Sequence, residues 1–324
     1  MEHFEFKVEA DHVDPRIDRF LRDHLEGVSR SRIQKLIVDG MITVNGEEIR
    51  ANYRLREDDL IEGDNPQRRR FHLVPEQIEL DIRYEDDYLL VINKPPGLVV
   101  HPAVGNYTGT LLNGIIYYLG QKAEDDHNLH PGLVHRLDKD TSGLLLVSKV
   151  ESVRNFLQEE LKARRIKRHY QAIVWGHLRE TEGKIELPLG RSPGDRRKMA
   201  VVDHNGREAV TNYHRLVRYK FADQIEVALQ TGRTHQIRVH FSHIGHPVVG
   251  DRDYGGDENI ISGMYDQYRQ EARNILKLIS RQCLHAWKLS FKHPVTKLVH
   301  TLKSDPPEDM QKIIEYLERI EHLG

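Results

Sequence analysis

The sequence predicts an α+β protein in two parts. A small N-terminal module combines helices with a β-hairpin, and a larger domain is built on a mixed, largely antiparallel sheet. Three observations predict this. Residues 14–62 hold two short amphipathic helical patterns followed by Asn45-Gly46, a strong hairpin signal. From residue 78 onward, apolar runs of strand length follow one another with few helices between them, which argues against a βαβ array. Between the two, "EGDNPQRRRFHLVPEQ" (62–77) has no period and contains prolines, so it reads as a linker. The expected division is a module at 1–62, a linker at 63–77 and a large domain at 78–324.

In the module, Ile17, Phe20, Leu21 and Leu25 fall at helical spacing, and Gly27 ends that helix. Ser29 caps a second helix with Ile33, Leu36 and Ile37 as its apolar stripe and Gly40 as its stop. Arg30, Arg32 and Lys35 lie on its polar face, with Arg50 and Arg54 near in sequence. On charge alone a solvated face is the favoured reading. Arg68, Arg69 and Arg70 in the linker either meet phosphate or are solvated.

In the large domain, "DYLLVINK" is a buried strand and "KPPG" a turn. "TLLNGIIYYLG" is a helix with Leu111, Leu112, Ile115, Ile116 and Leu119 on one face. "QKAEDDHNLH" is a polar loop. "GLLLVSK" is a strand, and "ESVRNFLQEELKARR" a helix burying Phe156, Leu157 and Leu161. "HYQAIVWG", "GKIELPLG", "KMAVV", "EAVTNYHRLVRY" and "QIEVALQTG" read as successive strands. "RTHQIRVHFSHIG" is a short helix, Met264 to Cys283 is mostly helical, "AWKLSF" is a strand, and "SDPPEDMQKIIEYLERI" is an amphipathic helix.

Composition narrows the function classes. Hydrophobic residues at 38% of 324 suffice for a sizeable core. No apolar run approaches the roughly 18 residues of a membrane span. The start, "MEHFEFKVEADHVD", has neither the basic nor the apolar region of an export signal. A single cysteine, Cys283, excludes an internal disulfide framework and a cysteine-based zinc site. A cytoplasmic setting is therefore expected. The formal net charge is −2, so any surface for a polyanion must be local.

The chemistry concentrates in "HPGLVHRLDKDTSGLLLVSK" (130–149). Here Asp138 sits among Arg136, Lys139 and Asp140 just before a core strand. Buried charge is costly unless it is paired or used. Taken alone, Asp138 also reads as a turn cap, with Asp140, Thr141 and Ser142 satisfying backbone amides.

Four other stretches accompany it in order: "VINKPPGLVVHP" (91–102), "RHYQAIVWG" (168–176), "TGRTHQIRVHFSHIGHPVVGDRDYG" (231–255) and "LHAWKLSFKHP" (284–294). Together with "HRLDKDTSGLLL" they resemble the RNA pseudouridine synthase family, in the branch typified by the large-subunit ribosomal RNA enzymes. The resemblance covers residues 78 to 300. In the module, "SRSRIQKLI", Gly40 and "VNG" resemble a small RNA-binding module of a small-subunit ribosomal protein and of some tyrosyl-tRNA synthetases. That likeness implies that Arg30, Arg32 and Lys35 lie along RNA.

The family resemblance implies that a uridine is isomerised in place without a cofactor: the base–sugar bond breaks, the uracil turns, and a carbon–carbon bond forms. The residue types agree. Breaking a glycosidic bond builds positive charge on the sugar carbon, which an ionised carboxylate stabilises or attacks. That role falls to Asp138, and whether it attacks sugar or base, or assists elimination, stays open. The resemblance further implies Arg238 as the ion-pair partner of Asp138 and Tyr170 as the ring that stacks on uracil and relays the proton from ring carbon five. It implies Arg136 as the filler of the space a flipped base leaves, a phosphate contact being the alternative. It implies that Leu284 packs under the base, ordinary core packing being the alternative. Arg233 and His235 are expected to contact substrate.

His235, His240, His243 and His246 cluster in sequence, but no carboxylate or cysteine completes a metal-ligand set, so no metal is expected. The expected partner is RNA, ribosomal first and transfer RNA second, free or in a pre-ribosomal particle, with the protein a monomer away from membranes. A non-catalytic RNA-binding assembly protein and a metal-dependent hydrolase are the rivals.

Overall fold

The computed structural model describes residues 2–10, 15–25, 28, 30–65, 74–102, 106–122 and 132–322. Gly27, Ser29, the Arg68–Arg70 run and most of the polar loop after residue 122 lie outside the described residues. The chain divides into two compact units, Met1–His72 and Leu73–Gly324. Among the described residues no helix is long and apolar enough to cross a membrane.

The N-terminal unit runs β1 (Glu2–Lys7), α1 (Ile17–His24), α2 (Arg30–Val38), β2 (Ile42–Val44), β3 (Glu47–Glu48) and β4 (Leu60–Asn65). Its antiparallel sheet has the order β1-β4-β2-β3. Ile17, Phe20 and Leu21 of α1 pack against Ile33, Leu36 and Ile37 of α2 over Ile42, Val44 and Ile61. After α2, Gly40 takes φ +69° and Met41 N–H donates back to Leu36 O at 2.9 Å, a glycine-terminated stop. Asn45 and Gly46 both have positive φ, 54° and 77°, as the tight hairpin requires.

The sequence reading missed β1 and β4. The signal in β1 is a period of two, with Phe4 and Phe6 turned to the core between exposed His3, Glu5 and Lys7. In β4, "LIEGDN", charge and Gly63 mask the strand. Gly63 is required there because a Cβ would stand 2.7 Å from the Phe4 ring. Strand β4 therefore occupies the start of the stretch read as linker. The other end is also structured: Asn113 Nδ2 donates to Val74 O at 2.8 Å, and the Glu76 carboxylate accepts from Gly109 N–H at 2.9 and 3.0 Å. Residues 74–77 thus belong to the second unit.

That unit begins with β5 (Ile82–Glu85), β6 (Leu89–Lys94), α3 (Leu111–Lys122), β7 (Gly132–Leu133), β8 (Ser142–Ser148) and α4 (Glu151–Lys162). It continues with β9 (Lys167–Trp175), β10 (Glu182–Glu186), β11 (Leu189–Arg191), β12 (Met199–Val201), β13 (Val210–Arg218) and β14 (Ala222–Leu229). It ends with α5 (Gln236–His243), α6 (Glu258–Ile261), α7 (Asp266–Leu278), β15 (Leu284–Lys292), β16 (Val299–Lys303) and α8 (Glu308–His322).

The main sheet has the order β10-β13-β14-β9-β15-β8-β6-β5, with β16 on β15 and β7 on β8. Among the described residues its pairings are antiparallel except that of β8 with β15. The mixed, largely antiparallel sheet is as the sequence predicts. Strand β8 is buried on both faces because its alternate residues feed two cores. Leu145 and Val147 join Leu111 and Ile115 of α3, Ile275 of α7 and Leu317 of α8. Leu144 and Leu146 join Val153 and Leu157 of α4. The "TSG" before this run is explained at the same place. Gly143 takes φ +112°, and a Cβ there would lie 2.3 Å from Ala286 O on β15.

Candidate active site

Strands β9, β14 and β15, the loop before β8, the end of α4 and helix α5 converge on a cleft of about 520 Å³. Asp138, Tyr170, Arg238, Arg136, Leu284, Arg233 and His235, the sequence-predicted residues of this unit, all line it. The structure therefore brings together side chains up to 148 positions apart in the chain (136 to 284).

Asp138 sits on the loop between β7 and β8. Two contacts hold the loop's backbone and a third holds its Thr141 side chain. Lys94 Nζ donates to Lys139 O at 2.8 Å, Arg281 Nη1 to Asp140 O at 3.0 Å, and Gln282 Nε2 to Thr141 Oγ1 at 3.1 Å. Lys94 is fully buried and also donates to Pro95 O and Leu98 O, at 2.7 and 3.0 Å. Burial pulls its amine down to about 7, against the opposing pull of Asp140 and Asp138. The three carbonyl acceptors match the three donors of an ammonium.

The Asp138 side chain remains 17% exposed. Arg238 Nη1 lies 3.4 Å from its Oδ2, and His235 Nε2 lies 3.9 Å from its Oδ1. The arginine's shorter contacts are elsewhere. Its Nε and Nη2 grip Asp251 Oδ2 and Oδ1 at 2.6 and 2.8 Å, and Nη2 also meets Asp253 Oδ2 at 2.8 Å. Burial works against the Arg238 charge, but Asp251, then Asp138 and Asp253, hold it protonated above its already high value. The ion pair implied for Asp138 is thus present but loose, and the bidentate fork belongs to Asp251. The sequence reading missed Asp251 and Asp253, although both stand in the quoted "GDRDYG".

His235 begins α5 with φ +56°, a left-handed conformation uncommon for a non-glycine residue. Its Nδ1 is 2.8 Å from Tyr254 Oη, which accepts from Met199 N–H at 3.1 Å. A Tyr254 hydrogen given to His235 Nδ1 would place the proton of the neutral ring on Nε2, the nitrogen that faces Asp138. Burial lowers the His235 pKa, Asp138 opposing and Arg238 adding to the shift. Gln236 is structural: it donates to Val210 O and Thr211 Oγ1, both at 3.0 Å, and accepts from Arg233 N–H at 3.0 Å.

Tyr170 is buried on β9, and among the described residues its hydroxyl makes no hydrogen bond. Burial raises its phenol above the usual value, with Arg168 opposing and Asp138 reinforcing. Leu284 pairs with Ala172 beside it and supplies a second apolar wall. Arg136 is exposed, and Arg233 Nε donates to Glu208 O at 3.0 Å.

The four clustered histidines do not converge. His240 bonds Thr211 Oγ1 and Leu187 O at 2.9 and 3.0 Å, and His246 Nδ1 bonds Trp175 O at 3.0 Å. The group of metal-type ligands whose donor atoms do approach one another, among the described residues, is His3, Glu5 and Glu62 in the other unit.

In the N-terminal unit, Arg32 and Lys35 are exposed on α2. Arg30 is not free as the sequence suggested. Its Nε and Nη2 donate to buried Asp18 at 3.0 and 2.9 Å, which also receives Arg16 and Gln34. Burial disfavours the Asp18 charge, yet Gln34, Arg16 and Arg30 outweigh it and hold the carboxyl below its usual range.

A basic-lipped cleft lined by one loosely held carboxylate and a buried aromatic ring suits an enzyme that works on a base within an anionic chain. Comparison with known proteins narrows the class. The sequence profile of RNA pseudouridylate synthases matches residues 88–243, and that of the S4 domain matches residues 15–61. A ribosomal large subunit pseudouridine synthase D of Neisseria meningitidis is 40% identical over 314 residues, 93% of this chain and 78% of that protein. One of the same name from Zymomonas mobilis is 39% identical over 306 residues, 93% of each chain. An uncharacterized RNA pseudouridine synthase of Chlorobaculum parvum is 40% identical over 310 residues, 94% of each. Among solved structures, human RNA pseudouridylate synthase domain containing 1 is similar with a TM-score of 0.54 and 25% identity, over 74% of this chain and 89% of that one. The chain belongs to the RNA pseudouridine synthase family and carries an N-terminal S4 domain.

Proposed function

We propose that the protein isomerises uridine within large-subunit ribosomal RNA, with Asp138 meeting the charge formed when the base–sugar bond breaks. The observation that carries the reading is the state of Asp138. The other carboxylate that lines the cleft among the described residues, Glu208, is bound to Arg164 at 2.7 Å, and Asp251 is bound to Arg238 at 2.6 Å. Asp138 keeps an open face and a partner at 3.4 Å. Arg238 thus sets a positive charge beside Asp138 without tying up the oxygens that must react.

Neutral His235 offers its Nε2–H from the other side. Tyr170 and Leu284 hold the uracil ring between apolar surfaces. The phenol is kept protonated by burial, so Tyr170 packs the base and does not take the carbon-five proton as a free phenolate. Arg136, exposed at the lip, fills the space left by the extruded base. A hydrolytic glycosidase needs a second carboxylate to activate water. Here the uracil is retained, so one carboxylate suffices. The relatives named for the ribosomal large subunit support ribosomal RNA over transfer RNA as substrate.

A large-subunit rRNA transcript carrying tritium on uracil carbon five tests the reading. The new carbon–carbon bond forms at that atom, so the label must pass to water. Release is expected from this transcript and not from transfer-RNA transcripts; release from transfer RNA alone would overturn the substrate assignment.

Two further outcomes follow from the geometry. Because both ring nitrogens of His240 and the Nδ1 of His246 are bonded away from the cleft, chelator-treated protein is expected to keep its turnover on pre-folded RNA, releasing neither free uracil nor abasic RNA. Loss of turnover restored by zinc would contradict this. In the S4 domain, Arg32 and Lys35 are the exposed cations of α2. Replacing both (Arg32→Gln with Lys35→Gln) is expected to make log affinity against log salt shallower by about 0.7–0.9 per lost phosphate contact. An unchanged slope would remove α2 from the RNA contact.

A further inference from the structure

Arg168 stands on β9 two residues before Tyr170, and both side chains are turned into the same core-side face. It lines the cleft, yet it is 8% exposed. Among the described residues it makes no hydrogen bond and no ion pair, and its Nε is buried without a partner. A buried guanidinium left in this state is expensive. Three other arginines of the cleft are engaged, Arg164 with Glu208, Arg233 with Glu208 O and Arg238 with three aspartates, while Arg136 is exposed at the lip.

The neighbours of Arg168 supply no negative charge. Tyr170 is a neutral phenol. His135 is held neutral by burial, which with the Arg168 charge pushes its pKa down to about 3. Asp138 lies beyond ion-pair range of it. On the open side is Gly232, and a Cβ there would stand 2.7 Å from Arg168 Nη1 and 3.2 Å from Nη2. The absence of a side chain at 232 leaves the outer nitrogens facing the cleft.

We propose that Arg168 seats a phosphate of the RNA strand, the one next to the uridine whose base lies against Tyr170. The inference rests on the uridine-isomerase reading and adds the group that fixes the strand. A uracil carbonyl would satisfy a donor but not the buried charge; a phosphodiester satisfies both, and the planar fork matches two of its oxygens. Arg168 and Tyr170 are about 6.6 Å apart along the strand, so one nucleotide can meet base floor and phosphate seat together. The target is then gripped at two points within the cleft, independently of the S4 domain.

The test uses the full chain and inorganic phosphate at constant ionic strength, followed by calorimetry. Wild type is expected to bind phosphate at the cleft, Arg168→Met to lose that binding, and Arg168→Lys to keep it in weakened form. Gly232→Ala retains every charge and crowds only the guanidinium, and is expected to weaken binding as well. With large-subunit rRNA, Arg168→Met is expected to raise KM about tenfold, one lost charge-assisted contact, with a smaller loss in kcat, and to keep its thermal midpoint. Phosphate binding by Arg168→Met equal to wild type, or no phosphate binding by wild type, would overturn the proposal. A purely structural arginine would instead lower the midpoint and leave phosphate binding alone, which also overturns it. Failure of wild type to make pseudouridine would strike the isomerase reading, while phosphate binding would still decide the role of Arg168.

Discussion

Asp138→Asn is expected to abolish pseudouridine formation, by about 10⁴-fold or more, while affinity for the RNA stays within about a factor of three. The substitution keeps the size and an acceptor for Arg238 Nη1, but removes the negative charge. It cannot stabilise positive charge on the sugar carbon or form a bond to it. Binding survives because RNA affinity is supplied by cations elsewhere, with Arg32, Lys35, Arg136 and Arg168 the candidates. The loop keeps its shape because it is held through backbone carbonyls, by Lys94 at Lys139 O and Arg281 at Asp140 O. A variant with near wild-type turnover, measured as tritium release on the same transcript, would remove Asp138 from the chemistry.

Arg238→Ala is expected to damage activity and stability together. Asp251 is 1% exposed and would lose both contacts of the fork. Leaving a buried charge without its partner costs about 3–5 kcal/mol. Thermal melts read this directly. In the cleft, Asp138 also loses the positive neighbour 3.4 Å from its Oδ2, so turnover should fall as well. Unchanged melts and unchanged turnover would contradict the assignment. Arg238→Lys separates the roles: one ammonium keeps a charge but cannot hold Asp251 at two points and still face Asp138.

The fold was largely legible because its signals are local. The stripes of α1 and α2, the Asn45-Gly46 hairpin and the apolar run of β8 depend on neighbours a few residues away. The missed elements lack that property. Strand β4 is short and charged and exists because β1 and β2 flank it, while β1 alternates by two over only a few residues. Within the site, the seven residues carried by the family's motifs meet in one cleft. The supporting charges were hidden. Lys94 read as part of a turn, yet it holds a carbonyl 45 positions away. Asp251 sits 13 positions from Arg238, outside any helical or strand spacing. Arg168 stood in the quoted "RHYQAIVWG" without a role, and only three-dimensional packing shows that, among the described residues, it lacks a counter-charge. Conversely, the spacing that made Arg30 look free for RNA could not reveal Asp18 beneath it.

The central claim is that this chain makes pseudouridine in large-subunit ribosomal RNA. The most direct measurement is a carbodiimide-adduct map of pseudouridine across all cellular RNA, in cells with the gene, without it, and with the Asp138→Asn form restored. The account predicts that one or more large-subunit rRNA sites vanish without the gene and stay absent with the variant, every transfer-RNA site being unchanged. An identical map in all three cells, or losses confined to transfer RNA, would contradict it.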